Sequence, residues 1–443
     1  MQTLIKNAQI VNENKIYKSD VLIENTKIKK IAPAIDIIAD KTIDARGLYL
    51  LPGIIDDQVH FREPGLTHKA EIYTESKAAI AGGITSFMEM PNTSPQTLTQ
   101  TLLEEKFQIA EKKSLANFTF FMGASNNNLE EILKTNPKNV GAIKIFMGSS
   151  TGNMLVDNKK ILEEIFAKSK LLIAVHCEDE NIIKLNSKAA KEKYGEDVPI
   201  SEHQNIRSVQ ACYNSSKMAI ELAKKHNTRL HVFHISTEKE INLFDNHIPL
   251  EKKRITAEVC IHHLHFDERD YVKKGTLIKW NPSVKKQSDK DALLQALLDN
   301  KIDVIATDHA PHTLKEKSES YFNCPSGGPL VQHALPAMLE FVKERKMSLE
   351  NLVEKMCHNP AICFQIEKRG FIKENYFADL VLVDLNSAWK VKKENILYKC
   401  NWSPFEGKTF NSKITHTIVN GHIAYNNGVF NEDIKGMRLT FNR

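Results

Sequence analysis

The sequence predicts an α/β protein: a (β/α)8 TIM-like barrel with a small β-sandwich domain built from both chain ends. Three patterns carry this reading. Eight short apolar runs alternate with helical-period segments between Ile54 and Ala306. Both termini alternate apolar and polar residues like short strands, with Asn and Gly between them. Polar residues close nearly every apolar run of the middle region at its C-terminal end, and in a barrel all those ends surround one mouth. A doubly wound sheet would also alternate, but it gives no reason for the third pattern.

Taken in order, residues 1–51 hold candidate strands at Thr3–Ala8, Asp20–Glu24 and Lys27–Ile31, and Ala378–Asp384 and Thr415–Gly421 repeat the pattern near the other end. We therefore expect residues 1–51 and 366–443 to form one composite β domain around a barrel over 52–365. The barrel strands are expected around Ile54–Ile55 and at Ile84–Met90, Phe118–Met122, Ala142–Met147, Leu171–Cys177, Leu230–Ile235, Ile255–Cys260 and Asp303–Ala306. Lys69–Ala81, Leu98–Lys112, Asn158–Lys168, Asn205–Lys225 and Asp289–Leu298 have helical periodicity and fit between them.

Bulk properties narrow the function. A chain of 443 residues can bury a large core, and a net charge of +5 spread along it argues against a dedicated nucleic-acid surface while suiting small anions. The 7 cysteines are scattered without a C-x-x-C pair, which speaks against a disulfide framework or a cysteine zinc site and for a reducing cytoplasm. No window is long and apolar enough to read as a membrane span.

The chemistry concentrates at the ends of the apolar runs. His60 and Arg62 follow the first, Asn92 the second, His176 and His234 end the fifth and sixth, and Asp308 with His312 follows the eighth. His60, His176, His234 and Asp308 form an N/O donor set that suits zinc, and Asp308 is also a candidate general base. Lys144, inside Ala142–Met147, is costly to bury as an ammonium; a desolvated amine can take up CO2 as a carbamate and serve as a further metal ligand. Taken one at a time, each of these has an ordinary reading: a hydrogen-bonded core histidine, a helix-capping aspartate, a lysine whose head reaches water.

The segments Gly53–Gly65, Pro91–Asn92–Thr93, His176–Cys177–Glu178–Asp179, Asn281–Pro282–Ser283 and Thr307–His312, with Lys317, resemble the dihydroorotases of the cyclic amidohydrolase superfamily. The resemblance runs from Pro52 to about Lys317. It implies one or two zinc ions held by His60, Lys144 (carboxylated), His176, His234 and Asp308. It also implies a substrate, dihydroorotate or carbamoyl-aspartate, held by Arg62, Asn92, Asn281 and His312 with backbone groups of the 324–330 loop. Homo-oligomerisation or association with aspartate carbamoyltransferase would suit such an enzyme. In one place the chain departs from the family pattern: Gln58 stands where the first histidine of a His-x-His pair is usual. Two alternatives remain, another cyclic amidase of the hydantoinase or allantoinase kind, and an inactive scaffold subunit that Gln58 would motivate.

Overall fold

The computed structural model describes residues 1–148 and 154–443. Eight parallel barrel strands fall where the apolar runs predict them: β1 (Ile54–Val59), β2 (Ile84–Glu89), β3 (Asn117–Phe120, continued by Met122–Gly123), β4 (Ile143–Phe146), β5 (Ile173–His176), β6 (Leu230–Val232), β7 (Ile255–Cys260) and β8 (Val304–Ala306). Each strand pairs in parallel with the next, and β3 changes partner at Phe121, from β2 to β4. The ring closes between β8 and β1 through a parallel bridge from Val59 to His309 and a 2.7 Å bond from His60 N–H to His309 C=O. Apolar and β-branched side chains are enriched in these strands because the outer helices and the packed interior bury both faces.

The helices between strands begin at defined caps. Thr99 accepts from the backbone of Leu102 at the start of α1 (Gln100–Lys113), and Asn158 accepts at the start of α2 (Lys159–Lys168). Asp179 caps α3 (Glu180–Tyr194), and Ser208 caps α4 (Val209–His226), which stops at a left-handed Asn227. Of α3, only Ile183 and Ala190 are fully buried.

The two chain ends build a nine-stranded sheet. Its seam is the antiparallel pairing of Leu380–Asp384 with Tyr49–Pro52, flanked by Gln2–Asn12 on one side and Lys413–Val419 on the other. Ile5, Ile10, Val21, Ile23, Leu50, Leu380 and Leu382 form its core. Only Gly53 separates this sheet from β1; its N–H donates to Asp379 C=O (2.8 Å), and any Cβ there would collide with the Thr85 side chain.

A buried polar knot fastens the sheet to the barrel. Arg369 pairs with Asp379 and donates to Asn420 Oδ1 (2.8 Å); Asp379 also accepts from Asn117 of β3 (3.2 Å) and from Asn420 N–H (2.8 Å). Removing only the cation strands a buried carboxylate. Arg369→Met is therefore expected to lose about 3–5 kcal/mol of unfolding free energy, read by urea denaturation, with Asp379→Asn/Arg369→Met less damaging than the single change.

Candidate active site at the barrel mouth

A cavity of about 230 Å³ opens at the C-terminal ends of the strands. Every residue singled out from the sequence lines it: His60, Arg62, Asn92, Lys144, His176, His234, Asn281, Asp308 and His312, with Gln58 beside them. Arg62, His234 and Asp308 all have left-handed backbone, at φ 67°, 40° and 45°. Three such residues at one rim are backbone strain of the kind that clusters at functional sites. Gly65, at φ 82°, permits the sharp return after Arg62, where a Cβ would run into the Ser94 carbonyl.

The candidate metal donors stand in two pairs. On one side His60 Nε2 lies 3.2 Å from Asp308 Oδ1, and His60 Nδ1 is 2.7 Å from Asn92 Oδ1. Burial lowers the His60 pKa to about 4, so the ring is neutral; donating through Nδ1 to Asn92, it turns its Nε2 lone pair towards the carboxylate. On the other side His176 Nδ1 lies 2.9 Å from His234 Nε2. His176 Nε2–H donates to Glu178 (2.9 Å), which Arg207 also grips at 2.5 Å. Burial alone would raise the Glu178 pKa, but Arg207 and His176 outweigh it and hold it at about 2. A fixed carboxylate behind an imidazole sets the tautomer and leaves the other nitrogen with its lone pair free, which is how metal-binding histidines are supported.

Lys144 is fully buried, with Nζ 4.1 Å from the centre of the Phe233 ring and 4.8 Å from that of Phe146, and no ion pair forms at it among the described residues. Desolvation brings its amine down to about 7. Gln58 lies next to Cys260, whose thiol is 3.5 Å from the amide oxygen.

The opposite wall is cationic. Arg62 is buried, yet among the described residues its polar contacts are only Nε–H to Pro311 C=O (3.2 Å) and Nη2 near His312 Nε2 (3.1 Å). Lys69 Nζ donates to His312 Nδ1 (3.0 Å), so Nε2–H points to Ser326 C=O (3.1 Å) and cannot accept from Arg62. One edge of the guanidinium is thus left without an acceptor among the described residues. Burial, then Arg62 and Lys69, push the His312 pKa well below its usual value, keeping it neutral. Asn281 Oδ1 is buried without a hydrogen-bond partner among the described residues. Lys69 and Arg207 escaped the sequence reading, because each acts from a loop whose path periodicity does not show. Glu178 lay within a quoted motif, but nothing in its spacing assigned it to His176.

The chain belongs to the amidohydrolase family, whose model matches residues 49–424. Among curated relatives it is similar to dihydroorotases. One from Methanosphaera stadtmanae is 33% identical over 98% of both chains, and one from Carboxydothermus hydrogenoformans is 34% identical over 96% of this chain and 98% of that one. Among solved structures it resembles the L-hydantoinase (dihydropyrimidinase) of Arthrobacter aurescens, with a TM-score of 0.93, 28% identity and 99% of each chain covered.

Glu178→Gln keeps the shape but removes the charge that holds His176. It is expected to weaken divalent-metal binding roughly 10–100-fold in a competitive chelator titration, with little change in the unfolding midpoint.

Proposed function

We propose that the chain is a zinc-dependent dihydroorotase, catalysing the reversible hydrolysis of dihydroorotate to N-carbamoyl-aspartate. The observation that carries this is the buried Arg62 guanidinium, which has no carboxylate partner among the described residues and faces the same cavity as the metal donors. A buried cation without a counter-ion is a waiting anion site, and its planar fork matches a carboxylate. Dihydroorotate supplies that carboxylate on the ring to be opened.

The residues suit the metal. The lone pairs of His60 and His176 are turned inward by Asn92 and Glu178, towards Asp308 and His234 respectively. His176, His234 and a carboxylated Lys144 would hold one ion; His60, Asp308 and the same lysine would hold a second, with the amide of Gln58 a weaker donor than imidazole. Bound there, zinc polarises a carbonyl and makes water a nucleophile near neutral pH.

The chain's own groups do the rest. Arg62, Asn92 and Asn281 fix the substrate's carboxylate and ring. His312 is held neutral with its tautomer set by Lys69, so it offers a directed N–H rather than a second charge. Asp308, at the junction of the two walls, takes the proton of the attacking water and returns it to the departing ring nitrogen. The 7 cysteines are all buried and free, and among the described residues no helix is long and apolar enough to cross a membrane. Both observations support a cytoplasmic setting. Aspartate carbamoyltransferase, whose product is carbamoyl-aspartate, is the natural partner enzyme.

The likeness to a hydantoinase structure favours a second reading, hydrolysis of hydantoins or dihydropyrimidines. Those rings lack the acid that Arg62 is placed to meet. Purified protein is expected to hydrolyse dihydroorotate and to leave dihydrouracil and hydantoin untouched. Arg62→Met should lower kcat/KM for dihydroorotate by ~10²-fold, the equivalent of about 3 kcal/mol for a charge-assisted pair. His176→Ala and Asp308→Ala should lose both bound zinc and turnover; full turnover in either would sink the assignment.

A further inference from the structure

Beneath the mouth, inside the barrel, lies a second group of donors that the reaction does not use. Asp57 of β1, His231 of β6 and Glu258 of β7 are each 0% exposed. His231 Nε2 stands 3.2 Å from Asp57 Oδ2 and 3.8 Å from Glu258 Oε2, and the three donor atoms lie within 4.8 Å of one another. β1 is not a neighbour of β6, so the contact spans the barrel interior.

The hydrogen bonds around the triad are incomplete in a particular way. Thr256 Oγ1–H donates to Leu230 C=O (3.3 Å), so its oxygen is free to accept from His231 Nδ1–H (2.7 Å). Burial alone would lower the His231 pKa, but Asp57 and Glu258 outweigh it and raise it to about 9, so Nε2 carries a proton between the two carboxylates, the place a metal ion would take. Apart from His231, neither oxygen of Asp57 has a polar partner among the described residues, and neither does Glu258 Oε2. Glu258 Oε1, by contrast, is satisfied by His234 N–H (3.1 Å) and the Cys260 thiol (3.3 Å). Buried unpaired carboxylate oxygens are costly, and a cation between them removes that cost. An ion bound by N and O donors at about 2.0–2.2 Å sets neighbouring donors roughly 3.3–3.5 Å apart, close to the spacing here.

We propose that Asp57, His231 and Glu258 form a metal centre in the barrel core, distinct from the one at the mouth, that binds a divalent cation of the zinc class. Its donors are His231 Nε2, Asp57 Oδ2 and Glu258 Oε2, and Thr256 is the outer partner that sets the histidine tautomer. An ion here neutralises an otherwise acidic core. Through the Glu258 bond to His234 N–H it also braces the strand end that carries a mouth ligand.

The test is anomalous diffraction from crystals of the full chain grown with zinc, with data on both sides of the zinc edge. The expected map has a peak within coordination distance of the three donor atoms, and that peak persists in His176→Ala, which disrupts the mouth. Metal analysis of Asp57→Asn should show one equivalent per chain fewer than wild type. Absence of the core peak in wild type overturns the proposal and leaves a proton on His231 as the neutralising charge. So does an unchanged metal content in a folded Asp57→Asn. Should that variant fail to fold, the wild-type map alone decides.

Discussion

The site depends on the seam that closes the barrel. β8 (Val304–Ala306) meets β1 through the isolated Val59–His309 bridge and not through a continuous ladder. A buried carboxylate does the joining: Asp56 accepts from Thr307 N–H (3.2 Å) and Thr307 Oγ1–H (2.6 Å), while His60 N–H reaches His309 C=O. This register sets Asp308 opposite His60. The residue that follows is anchored on three sides, with His309 Nε2 2.8 Å from Glu75 and Nδ1 accepting from the N–H groups of Leu330 and Val331. Trp280 Nε1–H holds the Asp308 carbonyl (3.3 Å). Asp308 keeps its strained φ because its neighbours on every side are fixed.

The electrostatics of the mouth follow from what is withheld as much as from what is present. The histidines are buried and neutral, fit to donate lone pairs. On the cationic side Lys69 pairs with Glu316 (2.9 Å), while two further lysines are held by carbonyls. Lys317 Nζ donates to the carbonyls of Pro325 (3.0 Å) and Gly327 (2.9 Å), and Lys279 Nζ to those of Tyr321 (2.5 Å) and Cys324 (2.6 Å). These bonds shape the loop at the cavity rim; burial lowers the Lys317 pKa to about 7 and that of Lys279 to about 8, so Arg62 is the firmest positive charge offered to an anionic substrate.

Much of this was legible in the sequence, because barrel strands announce themselves as apolar runs and their catalytic ends as polar residues placed just after. His60, His176, His234, Asp308 and Arg62 could be found that way. Lys69, Glu178 and Arg207 could not be assigned, since their roles exist only once loops bring them to His312 and His176. Asp57 was hidden for a different reason. In a regular strand it would face away from Gln58, but the pairing of β1 with β2 slips between Asp56 and Val59, where β1 carries an extra residue. That bulge breaks the alternation from which burial is read, and bulges of this kind recur beside active sites.

The same bulge explains how one short strand serves two layers of chemistry. His60 and Gln58 face the mouth, while Asp57 reaches His231 across the interior. Cys260 links the layers, its thiol 3.5 Å from Gln58 Oε1 and 3.3 Å from Glu258 Oε1. Gln58 is therefore more than a missing imidazole. Its amide oxygen already lies beside a thiol that also touches the acidic core, so it is a weaker metal donor than a free amide would be. Under the proposed function a metal on that side of the mouth would lean on His60, Asp308 and Lys144, and Asn92 and the β8–β1 seam keep the first two in place.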